Sequence, residues 1–224
     1  MKTNFIISLP PSSLRIGLVE AQGVTVKPSN SDYLAEIDKD IAPILSPDYV
    51  YPDKMQKGIR SLLRTFGFHP SGRSRPASEF LAKDLGNRGS FNPINNVVDI
   101  NNHISLLYNL PISVIDLDKS GSELSLRVGA PEEKYIFNRE GQELTLKNLI
   151  VIAKNGDSHK PIGSPVKDSQ ETKVFENTKN ILFVIYTSST ITTECELKEI
   201  NDRIALLLDK ECSPERIKTA IIDS

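Results

Sequence analysis

The sequence predicts an α+β fold, a mixed sheet flanked by helices, and three observations carry that prediction. In the first half, apolar residues recur mainly at helical spacing. In the second half they fall in short runs parted by Gly and Pro turns, and an amphipathic helix then follows near the end of the chain. Helices and strands are therefore largely segregated, which favours α+β over an alternating doubly wound sheet. With 224 residues the chain buries a core without disulfides or metals, and it reads as a single domain over 1–224 in preference to a division near Arg73.

The elements follow in order. Asn4 to Leu9 and Leu14 to Glu20 read as strands, the second with Gly17 inside it. After Pro28, Ser31-Asp32 opens a helix with a cap and an early acid, and Leu34, Ile37, Ile41, Ile44 and Leu45 supply its apolar face. Pro47 and Pro52 interrupt. A second helix over Asp53 to Phe66 gathers Met55, Ile59, Leu62, Leu63 and Phe66 on one face. A Gly-, Pro- and Ser-rich loop over 67–76 leads to Pro76-Ala77-Ser78-Glu79, the first turn of a third helix. The fourth runs from Pro93 to Tyr108. Beyond Pro111 come strands at Ile112 to Leu117, Glu123 to Val128, Lys134 to Phe137, Leu149 to Ala153 and Ile181 to Thr187, expected to build a sheet by adjacent pairing through turns at Gly121, Gly129 and Gly141. Glu194 to Asp209 is a helix with the stripe Leu197, Ile200, Ile204, Leu207 and Leu208, and Lys218 to Ile222 is an edge strand.

Composition narrows the class. A hydrophobic content of 38% with 25% charged residues excludes a disordered or collagen-like chain. The longest apolar run, Ile181 to Tyr186, is a strand's length and far short of the roughly 20 residues of a membrane span. The N-terminus carries no signal-peptide pattern, so a cytoplasmic location and no membrane partner are expected. Cys195 and Cys212 lack metal-ligand spacing, and His69, His103 and His159 lie far apart, so no metal site is assigned. Neither a Walker loop nor a GxGxxG fingerprint occurs, which counts against nucleotide hydrolysis and hydride transfer, and no GxSxG elbow supports a serine hydrolase. No cofactor is expected.

Charge is nearly balanced overall, 27 basic against 29 acidic residues, yet Asp53 to Arg75 carries Lys54, Lys57, Arg60, Arg64, Arg73 and Arg75 against Asp53 alone. Lys57, Arg60, Arg64, Arg73 and Arg75 are accordingly candidate RNA-binding residues, with a solvated helix face as the plainer reading. The densest polar cluster is Asn95-Asn96-Val97-Val98-Asp99-Ile100-Asn101-Asn102-His103. Asparagine is a mediocre helix former, so this cluster weakens the fourth helix unless something compensates. Asn95 and Asp99 lie four apart and Asp99 and Asn102 three apart, one helical face on which amides and a carboxylate either line a polar pocket or cap neighbouring loops.

Asn-x-Val-Val-Asp-x-x-Asn, the following helix ending in Pro111, Asp116-Leu117-Asp118-Lys119 and Leu126-Arg127 resemble the editing domain of the bacterial phenylalanyl-tRNA synthetase β subunit. Arg75-Pro76-Ala77-Ser78-Glu79 and Gly163 to Ser169 are similar to signatures of its freestanding homologues, and the resemblance spans 75–186. It implies a site for an aminoacyl group and the terminal adenosine of a tRNA, and hydrolysis of a misacylated ester. The family's Thr-Asn pair falls on Asn101 and Asn102, its pocket histidine on Ser113, and its tyrosine-reading glutamate near Gln170 or Glu171. Asn101, Asn102, Ser113 and Glu171 become the candidate catalytic residues, with Asn95, Asp99, Asp168 and Gln170 contacting substrate. An aminoacyl ester is already activated, so amides and hydroxyls that orient water suffice without a dedicated nucleophile. Two further readings stand beside this one: a module that binds tRNA or an aminoacyl group without chemistry, and an α+β domain that binds a small molecule and no RNA.

Overall fold

The computed structural model describes residues 2–155 and 159–224. In chain order the elements are β1 (Asn4–Ile7), β2 (Leu14–Gln22), α1 (Ser31–Ile41), α2 (Asp53–Thr65), α3 (Ala77–Arg88), α4 (Asn96–Tyr108), β3 (Ile112–Asp116), α5 (Leu117–Ser120), β4 (Glu123–Val128), β5 (Lys134–Ile136), β6 (Glu143–Thr145), β7 (Ile150–Lys154), β8 (Pro161–Gly163), β9 (Asn180–Ser188), α6 (Glu194–Cys212) and β10 (Arg216–Asp223). The fold is α+β, as the segregated periodicities predict. Helix termini carry the expected chemistry with small shifts. Asn30, one residue before the expected cap, accepts from Tyr33 N at 2.8 Å, while Thr193 and Glu196 form a capping box on α6. Gly89, at φ 72°, ends α3 in the left-handed conformation that glycine adopts without strain.

The strands form two four-stranded sheets, ordered β1-β4-β7-β8 and β10-β2-β9-β3, and a small β5-β6 hairpin. The first is mixed, since β1 runs parallel to β4 and the other pairs are antiparallel. Adjacent pairing, expected from the sequence, holds only for β5-β6 and β7-β8 among the described residues. The reason is the apolar character of β2 and β9. Both are buried almost throughout, as a strand covered on both faces must be, so they sit in the sheet interior beside each other although some 160 residues of chain separate them. The three-residue strands β6 and β8 escape a pattern search because each is too short to alternate, and Pro161 and Gly163 read as turn residues.

Register and close approaches define the layers. Gly17 pairs with Ile185, and a Cβ on Gly17 would lie 2.6 Å from Asn201 Oδ1 and 2.9 Å from Leu197, so this face of the β10-β2-β9-β3 sheet packs on α6. Alternation then turns Val184 and Tyr186 of β9, with Ser113 and Ile115 of β3, to the opposite face. There the second sheet arrives: a Cβ on Gly163 would lie 3.0 Å from Ile115 and 2.8 Å from Asp168 Oδ1. Helix α4 packs on both α6 and β3, which brings its asparagines into the core.

One of those asparagines ties three segments together. Asn96 is fully buried; its amide nitrogen donates to the carbonyls of Thr25 (2.9 Å) and Glu211 (2.8 Å), and its oxygen accepts from Lys27 N (3.1 Å). Asn96→Ala strands these backbone groups away from water, and a loss of about 3 kcal/mol is expected. Urea unfolding measures it; a loss below about 1 kcal/mol would show that the clasp does not hold these segments.

Candidate functional site

Strand β3 delivers Ser113 to the interface between the two sheets, where a polar network has formed among apolar neighbours. The Ser113 hydroxyl lies 2.6 Å from Asp168 Oδ1, 3.1 Å from the Tyr186 hydroxyl and 3.3 Å from the Ser164 carbonyl. Asp168 Oδ1 also accepts from Ser164 N at 3.2 Å. The Tyr135 hydroxyl reaches Ser164 Oγ at 2.9 Å and the Lys167 carbonyl. Burial is the dominant influence on Asp168 and pushes its pKa up to about 7, against the opposing pull of Ser113, the Ser164 amide and Lys173. The same burial raises Tyr135 and Tyr186 well above the ordinary phenol value. Lys173 is lowered first by burial, and Arg139 adds to this while Asp168 resists it. A carboxyl that exchanges its proton near neutrality beside a serine hydroxyl is suited to general acid–base work.

The other sequence-derived candidates lie in different surroundings. Asn95 is the N-cap of α4, accepting from Val98 N at 2.9 Å. Asp99 is fully buried, with Oδ2 accepting from Ser29 Oγ at 2.6 Å and Oδ1 from Ile94 N at 2.8 Å, and burial raises its pKa. These two side chains cap and clasp neighbouring loops. Asn101 donates to Asn102 Oδ1 at 3.3 Å, while its own carbonyl oxygen is buried without a partner among the described residues. Asn102 lines a shallow cavity of about 130 Å³ with Leu81, Arg88 and Phe91. Glu171 is held ionised below its ordinary range by Lys154, at 2.8 Å, and by Lys160. Gln170 has a buried side-chain oxygen with no partner among the described residues.

Of the eight candidates, the structure joins Ser113 to Asp168. No hydrogen bond among the described residues links Asn95, Asp99, Asn101 or Asn102 to the 168–172 segment. Tyr135, Ser164 and Tyr186 belong to the network, and the charge of Lys173 acts on it, but these residues were not singled out by sequence reasoning. Tyr186 lies inside an apolar run and reads as core, whereas Ser164 sits in the Gly163–Ser169 stretch that was already conspicuous.

The expected basic face divides. Lys57 pairs with Asp53, one helical turn earlier, at 2.6 Å. Arg60 forks onto Glu79 of α3, with Nε to Oε1 at 2.8 Å and Nη2 to Oε2 at 2.5 Å, so its guanidinium is committed to holding α2 against α3. Arg64 is exposed with no ion pair among the described residues. Arg73 and Arg75 lie instead at a separate cavity of about 320 Å³.

Comparison with known families adds the decisive observation: the model described as the B3/4 domain matches residues 70–223, well over half of the chain. The chain belongs to the B3/4 domain family. Its relatives include the phenylalanine–tRNA ligase beta subunits of Listeria monocytogenes serotype 4b, 28% identical over 136 residues, and of Fusobacterium nucleatum, 39% identical over 92 residues. The matches cover 60% and 40% of this B3/4 chain but 17% and 11% of those subunits, so the shared part is less than a fifth of the relatives' length. Among solved structures, an N-terminal fragment of the phenylalanyl-tRNA synthetase β subunit from Pyrococcus horikoshii aligns over the whole chain and 55% of the fragment, at a TM-score of 0.46 and 11% identity.

The Arg60–Glu79 pair makes charge reversal on α2 informative. The Glu79 side chain is only 5% exposed, so Arg60→Glu leaves two carboxylates facing each other there. A loss of about 3 kcal/mol is expected, while the exposed Arg64→Glu changes stability by less than about 0.5 kcal/mol. Equal melting temperatures for the two variants would contradict the assignment of Arg60 to the fold.

Proposed function

We propose that this B3/4 chain binds the aminoacylated end of a tRNA and hydrolyses a misacylated aminoacyl ester. The observation that carries the reading is the Ser113–Asp168 contact at 2.6 Å, with a carboxyl poised at about 7. Membership of a family whose relatives include phenylalanine–tRNA ligase beta subunits supports this choice of substrate class. Asp168 takes a proton from a water positioned by Ser113 as the water oxygen bonds to the ester carbonyl carbon. The carbonyl electrons pass to oxygen; Asn101 and Asn102, which no hydrogen bond among the described residues ties to the Ser113–Asp168 network, stabilise that charge where the bound substrate brings α4 and the network onto the same carbonyl. Collapse expels the ribose oxygen, which leaves with the proton, and free amino acid and tRNA result. Glu171, with its two lysines, and Gln170 contact the amino acid portion of the substrate. Among the described residues no helix is long and apolar enough to cross a membrane, and work on tRNA places the protein in the cytoplasm.

One observation favours a second reading, in which the chain binds tRNA or an aminoacyl group without chemistry. Ser113 is 1% exposed, and its hydroxyl is already engaged by Tyr186 and Ser164 as well as Asp168. In that reading the network is structural.

Single-turnover assays on a panel of mischarged tRNAs separate the two. With Asp168 as base, the enzymic rate, after subtraction of uncatalysed hydrolysis, rises with pH until the carboxyl has lost its proton at about 7, then levels. Asp168→Asn removes this dependence. Asn102→Ala lowers the rate about a hundredfold, with tRNA affinity nearly unchanged. Ser113→His, which installs the related domain's histidine, raises the rate if the aminoacyl pocket has kept its original specificity. Tight tRNA binding with no turnover on any member of the panel would establish the binding module instead.

A further inference from the structure

The cavity of about 320 Å³ on the α3 side of the molecule is a different kind of site. Its lining includes Arg73, Arg75, Phe80, Lys83, Asn87 and Lys167. These bring four cationic side chains from three segments: the loop before α3, the helix itself and the loop after β8. The carboxylate at the cavity, Asp84, is engaged by Arg88 at 2.7 Å. Among the described residues none of the four cations pairs with a carboxylate. Their mutual repulsion shows at Lys167, whose pKa is lowered by burial first and then by Arg73 and Lys173.

The positions of these groups are constrained. Arg75 Nε donates to the Gly72 carbonyl at 2.8 Å, which folds the loop back on itself and orients the guanidinium. Gly72 sits at φ 46° with open space around it, so the loop adopts a turn that a side chain at this position would strain. The Lys167 ammonium lies 3.8 Å from the ring centre of Phe137 and 5.7 Å from that of Phe80. Phe80 is 46% exposed, which leaves ring surface open beside the cations.

We propose that this cavity binds a nucleotide, with its phosphate held by Arg73, Arg75, Lys83 and Lys167 and its base stacked on Phe80. Guanidinium groups match phosphate oxygens in pairs, and an exposed ring next to them accepts the face of any base. A cavity of this size falls at the lower end of those that hold small ligands. Simple anion binding accounts for the cations but leaves the open Phe80 ring unused. The site rests on its own geometry and adjoins the inter-sheet network at Lys167, whose carbonyl accepts from Tyr135 and Ser164.

Isothermal titration of the full chain with 5′-AMP, adenosine, inorganic phosphate and a short single-stranded RNA tests it. AMP is expected to bind at least tenfold tighter than either adenosine or phosphate. Arg73→Glu and Lys83→Glu, both at exposed positions outside any ion pair among the described residues, should each weaken AMP about tenfold or more without changing the melting temperature. Phe80→Ala should weaken AMP and leave phosphate unaffected. RNA binding more than tenfold tighter than AMP, and lost in the same variants, assigns the nucleotide to an RNA strand; equal affinity assigns it to a free nucleotide. The proposal is overturned if neither AMP nor RNA binds, if phosphate binds as well as AMP, or if the reversals change nothing. Loss of nucleotide binding in these variants with turnover intact on mischarged tRNA would show the nucleotide site to be separate from hydrolysis, and absence of nucleotide binding in the unmodified chain with turnover intact would leave the hydrolytic reading standing alone.

Discussion

Burial of β9 on both faces imposes the architecture, because a strand with no exposed edge or face must find hydrogen-bonding neighbours on either side and cover above and below. The neighbours are β2 and β3, both antiparallel to it. Cover on one face comes from α6, which approaches so closely at Gly17 that a methyl group there would meet Asn201 and Leu197. Cover on the other comes from the second sheet, through Ile115, Gly163 and Ile152. Helix α4 then closes against α6 and β3, and its polar residues are buried as a consequence of this layering rather than in spite of it.

That second face is where the chemistry of the molecule concentrates. Between two apolar sheet faces, unpaired polar groups are costly, so Ser113, Ser164, Tyr135, Tyr186 and Asp168 satisfy one another. The carboxyl is the odd member. Its charged form gives up hydration there that hydroxyl and amide donors only partly replace, and the proton is retained to about 7. An apolar residue in its place would spare this cost; its presence motivates the functional reading of the site. The basic cavity beside α3 obeys the reverse logic, with positive charge gathered and left uncompensated among the described residues.

Much of the scaffold was legible in the sequence because it is written locally. The stripe of Leu197, Ile200, Ile204, Leu207 and Leu208 announces α6, and the run from Ile181 to Tyr186 announces β9. The edge strand β10 was visible over Lys218 to Ile222, inside its span of Arg216–Asp223. Roles that depend on distant partners were not. The asparagine cluster on α4 was recognisable as a cost to the helix, but what offsets it in Asn96 is a carbonyl 115 residues away, and in Asp99 a serine 70 residues away. The Ser113–Asp168 pair spans 55 residues. It became a candidate only through the resemblance to an editing domain, which marked both residues without showing that they touch. Arg60 shows the same dependence on a distant partner. Its charge suggested a partner outside the molecule, and within the molecule it pairs with Glu79 on the next helix.

Protonation of Asp168 inside the inter-sheet network decides most directly between a catalytic and a structural role for that network. Carbon-13 NMR of the aspartate side-chain carboxyls, followed from acid to alkaline pH on the folded protein, reads this without reference to any substrate. The structure predicts an inflection at about 7 that disappears in Asp168→Asn. Titration of Asp168 in the ordinary range near 4, or persistence of the neutral inflection in that variant, would contradict it.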